Sequence, residues 1–137
     1  MITTIRQAVL RANALFLFAG SLGGLSMDIR GAFLGLGPQG VVLANAPHAA
    51  IGFIEAHGLA LIFAVLLWRC PPTRAWHATA MAIETLLGTA NLVFWQIFVV
   101  GGALWVGHVT TSFHWLFVVL NLAAILALSR WRAVPSP

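Results

Sequence analysis

The chain contains no lysine and only three acidic residues, Asp28, Glu55 and Glu84. Charged side chains make up 7% of its 137 residues, where a soluble domain carries about 25%. Hydrophobic residues reach 61% and the mean hydropathy is +0.96. A water-soluble fold of this size cannot hide so much apolar surface, because small domains leave a large share of their surface exposed. The solvent for most of the chain is therefore expected to be lipid. The length suits a single integral membrane domain, residues 1–137.

Other absences exclude chemistries. With Cys70 as the single cysteine, no internal disulfide and no C-x-x-C redox pair can form. The net charge of +4 comes with no basic stripe and no DNA or RNA motif, which argues against a nucleic-acid partner. There is no G-x-S-x-G, no H-E-x-x-H and no Walker lysine after "SLGGLS". The Glu-x-x-His of carboxylate di-iron sites is also missing. Ser112 stands two residues from His114, and side chains at that spacing on a helix do not face each other.

Four apolar runs of about bilayer length are present, at about residues 8–27, 50–68, 78–100 and 108–129. Gly and Pro punctuate the gaps in "GLGPQG", "CPPT", "GG" and the terminal "VPSP". Six of the seven arginines (Arg6, Arg11, Arg69, Arg74, Arg130 and Arg132) flank one set of span ends, and Arg30 alone lies on the other. The positive-inside rule then places both termini in the cytoplasm. Trp68, Trp76 and Trp131 fall at inner ends and Trp95, Trp105 and Trp115 near outer ends, as two aromatic belts do. Arg6, Arg11 and "ALFLFAG" resemble a secretory signal, but the A-x-A pattern "ANA" lies too far beyond the apolar run. The expected fold is all-α, a four-helix transmembrane bundle of the cell membrane. An apolar outer loop, residues 28–49, should pack on the bundle or stay at the interface.

Polar residues inside the spans are the candidate functional groups, because charges in lipid are costly and are retained at pairs or wet cavities. At about 1.5 Å rise per residue, Glu55, His57, Gln96 and His114 fall in an outer layer. These are the candidate ligand-binding residues. Asn91 and Asn121 fall in a middle layer, as structural glue if they meet. Asn13 and Arg11 share an inner layer with Glu84 and His77. Glu84 reads either as a structural partner of Arg11 or as a functional carboxylate. Residues seven apart share a helix face, which puts His77, Glu84, Gly88 and Asn91 on one stripe and His114 and Asn121 on another. Asn13, Gly20 and Gly24 form a small-residue surface. Glu55 and His57, two apart, point to opposite sides.

His57 and His114 at matching depth suggest bis-His haem ligation if their spans are adjacent. The ladder of carboxylates and histidines suggests a proton relay, though no inverted repeat is visible and transport would need an oligomer.

"RANALFLFAGSLGGL" (11–25), a Gly/Pro-containing segment and "GFIEAHGLALIFAVLLWR" (52–69) together resemble the opening of the DoxX-like membrane proteins. Glu55 stands at that family's second-helix glutamate and Gly58 close to the following glycine. Met27 and Asp28 stand where a basic residue often follows the first helix, and His48 and His57 are not features of the family. The resemblance implies a small four-helix membrane protein, some of whose relatives take part in quinone-coupled sulfur oxidation or oxidative-stress complexes. It carries over no catalytic residue.

The expected function is that of a non-catalytic accessory subunit near the outer leaflet. It would bind an apolar small molecule such as a quinone or lipid, or a membrane protein partner or second copy. A haem b electron carrier and an oligomeric proton-coupled transporter are the alternatives.

Overall fold

The computed structural model describes the backbone of residues 2–131 and side chains over residues 4–127. Arg132 lies outside the described residues, and the side chains of Arg130 and Trp131 lie outside the described side chains. Among the described residues there is no strand. Four long helices carry the fold: α1 (Ile2–Leu34), α3 (Ala50–Arg69), α4 (Arg74–Val93) and α6 (Leu104–Trp131). Two short ones, α2 (Gly37–Leu43) and α5 (Gln96–Val100), lie between them, with a 3-10 turn at Pro47–Ala49. Three stretches, Thr4–Leu34, Pro47–Arg69 and Leu104–Ala127, are long and apolar enough to cross a membrane.

The molecule is apolar outside and keeps its large polar side chains inside, among small and apolar ones. Of the seven largest fully buried side chains, five are polar: His77, Glu84, Asn13, Asn121 and Asp28. Meanwhile Phe33 is 75% exposed and Leu86 68%. In water this arrangement would forfeit the hydrophobic driving force. In lipid it is the stable one, because tails solvate leucine and phenylalanine while polar groups must find each other. This surface marks a membrane protein.

The helices pack as two pairs. α1 lies along α3 and α4 along α6, and α1 also touches α6 and α4. The pairs share a plan, a long helix, a short helix and a second long helix. At one end Leu10, Ala14 and Leu17 of α1 close on Ala64 and Leu67 of α3 with Ala80 of α4. Small residues let these backbones approach. Pro71 and Pro72 end α3, since proline cannot extend the hydrogen-bond ladder, and Thr73 caps α4 by accepting the Trp76 N–H at 3.3 Å.

Two sequence-based boundaries are corrected. The first helix does not stop near residue 27 but runs to Leu34, where Gly35 and Gly37 adopt left-handed φ of 66° and 72°. The segment after it is helical, not a loop. α2 folds back on the end of α1, where Gly31 and Gly40 carry no side chain. A Cβ on Gly31 would come within 2.5 Å of Gln39, and one on Gly40 within 2.4 Å of Gly35. The third expected span, 78–100, is broken after Val93 into α4 and α5. Trp95 packs on Phe98 and His108, and a Cβ on Gly107 would meet the Phe98 ring at 2.7 Å. Docking of Phe98 on this glycine, with Gly102 turning at φ 64°, favours the bend over a straight helix. α4 is not among the stretches long and apolar enough to cross a membrane; Arg74, His77, Glu84 and Asn91 make it less apolar, and His77 and Glu84 are buried within the fold.

The α1–α3 seam gives a test. A Cβ at Gly24 would sit 2.2 Å from His57 Nε2, whereas Gly20 has nothing within 4 Å. Gly24→Ala is expected to lower stability in detergent by about 1–3 kcal/mol through overpacking. Gly20→Ala should be neutral or stabilising by up to about 1 kcal/mol. Equal thermal unfolding of the two variants would show that the seam is not closed at Gly24.

Candidate functional site

The stripes expected on α4 and α6 face each other and α1. Glu84 is fully buried on α4. Asn13 of α1 donates its amide N–H to Glu84 Oε1, and His114 Nδ1 of α6 meets Oε2 at 2.5 Å. One step of seven residues back along α4, His77 Nδ1 lies 2.8 Å from Asn121 Oδ1. Asn121 in turn donates to Asn13 Oδ1 at 3.1 Å and to the Phe117 carbonyl at 2.8 Å. Glu84 and His77 on α4 thus meet His114 and Asn121 on α6 in antiparallel register, with Asn13 joining both rungs. The network ties three helices together through side chains that lipid cannot satisfy.

Three sequence-based pairings are corrected. Glu84 does not pair with Arg11, whose guanidinium lies 5.4 Å from the centre of the exposed Trp68 ring. Arg11 is two residues from Asn13 and so points to another face of α1. Asn91 does not meet Asn121. It donates to Thr110 Oγ1 at 3.1 Å, near the start of α6, because the antiparallel register sets it well away from Asn121. His114 is not in a layer apart from Glu84, since the two are directly bonded.

A second carboxylate–histidine pair repeats the first. Asp28 of α1, fully buried, binds His57 Nδ1 of α3 through Oδ2 at 2.5 Å. Asp28 and His57 are 29 residues apart and Glu84 and His114 are 30 apart. In each pair a carboxylate on the first long helix holds the Nδ1 of a histidine on the second.

Both histidines line one cavity of about 290 Å³ between the two pairs of helices. Its walls are mostly apolar, with Phe16, Leu17, Phe53, Leu87 and Val106 among them. Pro38, Gln39 and Val42 of α2 and Ile97 and Phe98 of α5 border it as well. The size and apolar lining with few polar groups suit a small organic ligand. The Phe16 ring stacks on Phe113 and Phe117 and meets His114 edge-on at 5.1 Å, which fixes the imidazole plane. Neither His57 Nε2 nor His114 Nε2 is hydrogen-bonded within the described residues.

Glu55 and Gln96 are placed apart from these histidines. Both are exposed and neither lines the cavity. Glu55 faces away because His57, two positions on, faces in; Gln96 follows the break after Val93, which turns it outward. α3 and α6 make no substantial contact, so the two histidines converge across a cavity and not along a helix seam. Sequence reasoning missed Asp28, which stood at an apparent span end. No group of three or more potential ligands that could hold a metal ion occurs among the described residues. Cys70 is buried with its thiol bonded to the Leu67 carbonyl at 3.2 Å, and burial pushes the thiol pKa up. It is a packing residue, not a nucleophile.

No protein family, curated protein or solved structure matches the chain.

The Glu84–His114 pair should behave as one unit. Removing either partner, as in Glu84→Ala or His114→Ala, is expected to cost roughly 3–5 kcal/mol by stranding the other in lipid. The double variant Glu84→Leu with His114→Phe should cost clearly less than the two losses together. Additive losses in detergent unfolding would show the pair to be uncoupled.

Proposed function

We propose that this chain is a multi-pass protein of the cell membrane that binds an apolar small molecule, a quinone or lipid, in the cavity between its two helix pairs. Its role is non-catalytic, as an accessory subunit to a membrane partner or a second copy. α1, α3, α6 and the inward-polar α4 make up a four-helix transmembrane bundle. Arg6, Arg11, Arg69 and Arg74 assign both termini to the cytoplasm. The cavity then opens toward the outer leaflet, beneath α2 and α5.

The observation that carries this reading is the pair of histidines on a mostly apolar cavity, which Ser21, Gln39, Asn91 and Thr110 also line. Each is held at Nδ1 by a carboxylate and has no hydrogen bond at Nε2 among the described residues; His77 is also unpartnered at Nε2 but does not line the cavity, whereas these two do.

A quinone with a short isoprenoid or alkyl tail is expected to raise the thermal unfolding temperature of the detergent-solubilised protein. His114→Phe should reduce that rise, whereas Glu55→Ala, remote from the cavity, should leave it intact. No shift with any quinone or phospholipid tested would exclude the cavity as a ligand site.

A second reading is supported by the same histidines. Imidazoles whose Nδ1 is held by a carboxylate are oriented as metal-bound histidines commonly are, so a bis-His haem b on His57 and His114 is the alternative. The absorbance spectrum separates the two. Haem ligation requires a Soret band in the purified protein that disappears in His57→Phe. The ligand-binding reading expects none.

A further inference from the structure

The end of the bundle where α1 begins and α3 ends carries positive charge with no counterpart in the chain. Arg6 and Arg11 lie on α1, Arg69 ends α3 and Arg74 opens α4. None of the four forms a salt bridge among the described residues. The chain's three acidic side chains are all placed elsewhere. Asp28 is bonded to His57, and Glu84 to His114 and Asn13. Glu55 is exposed and stands about 21 Å from Arg69 along α3 at helical rise.

At this end an open groove of about 300 Å³ runs between α1 and α3. None of its lining residues lines the cavity. Ala14 and Ala64, both buried, form its floor, so two small residues make a trough where larger ones would make a ridge. Leu15, Phe18 and Val65 form its walls and are exposed. Trp68 and Arg69 line it at the inner end, and the Arg11 guanidinium lies 5.4 Å from the centre of the Trp68 ring. Arg11, Leu15 and Phe18 follow the spacing of one helix face. Two arginines thus stand at one end of an apolar trough that extends about 10 Å along α1 to Phe18.

We propose that this groove holds one anionic phospholipid of the inner leaflet, its phosphate against Arg11 and Arg69 and an acyl chain along Leu15, Phe18 and Val65. Guanidinium groups bind phosphate through paired N–H donors. Basic sites between helices on the cytoplasmic side suit anionic headgroups, because that leaflet is itself negative. A headgroup with its own ammonium would bring a third positive charge to the two arginines. A second copy docked here with the same end inward would bring more arginines and no carboxylate. The site is separate from the cavity and stands whether or not the cavity takes a quinone.

The test uses the full chain purified in detergent. Native mass spectrometry reads lipid retained from an equal mixture of phosphatidylglycerol and phosphatidylcholine with the same acyl chains. Phosphatidylglycerol is expected to be retained roughly tenfold over phosphatidylcholine, since one arginine near an anionic headgroup is worth about fivefold. Arg11→Gln and Arg69→Gln should each lower that preference about fivefold. Arg74→Gln, at the same end but outside the groove, should leave it unchanged. Equal retention of the two lipids by the unaltered chain would overturn the site. A preference lost as fully in Arg74→Gln would belong to the basic end as a whole and would overturn the groove. Glycerol phosphate is the probe without an acyl chain. Binding of it as tight as that of phosphatidylglycerol would mean a site for free phosphate, and would overturn the lipid assignment.

Discussion

The structure depends on one buried carboxylate. Glu84 lies on the most polar of the long helices and is reached by side chains from two others, Asn13 of α1 and His114 of α6. Lipid offers no hydrogen bonds and a low dielectric, so a carboxylate buried among these helices is held by polar partners on neighbouring ones. That requirement fixes the axial position of three helices at once. Sliding α4 along α6 by one turn would separate Glu84 from His114 and His77 from Asn121 together. Apolar contacts cannot set register in this way, because a leucine shifted along a helix in lipid meets another apolar surface of similar worth. The register is set by polar side chains, and the apolar ones fill the space around them.

The same logic explains why α1 is the joining helix. Its buried face carries Asn13, which serves the α4–α6 pair, and Asp28, which serves α3. Leu10, Ala14 and Leu17 on that face close one end of the packing, while Gly24 makes room for the His57 ring at the other. α3 is therefore held to α1 near His57 and again near Leu67, and the cavity remains where neither helix pair fills the space between. Repetition of the carboxylate–histidine arrangement at separations of 29 and 30 residues gives that cavity a similar polar contact from each pair of helices.

Much of this was legible in the sequence. The low charge and apolar runs announced a lipid-solvated helical chain. Spacing by seven correctly grouped His77 with Glu84 and His114 with Asn121, because a face is a local property of one helix. Depth was not legible, because it was counted from span ends that the structure moves. The third run breaks after Val93, and α1 continues past Asp28. Asp28 stands at a span end in the sequence and inside α1 in the structure, which is why its pairing with His57 is visible only there. Glu55 and Gln96 were grouped with the histidines by depth alone, and depth says nothing about the side of the helix. Only the packing of α3 on α1 decides that His57 faces inward and Glu55 does not.

The polar network also bears on what the protein could move. A relay needs groups that pick up a proton at one atom and release it at another, as histidines, carboxylates and waters do. Between His114–Glu84 and His77 the connection runs through the carboxamides of Asn13 and Asn121. An amide donates through nitrogen and accepts through oxygen, but it does not ionise near neutral pH, and it passes no proton without leaving its stable amide form. The chain of hydrogen bonds across the helices therefore orders them without conducting between them. The two histidines that a carboxylate holds at Nδ1, His57 and His114, both border the cavity. The inner part of the network is thus a lock on helix register, and the carboxylate-held histidines lie outside it or at its edge, on the cavity between the two helix pairs.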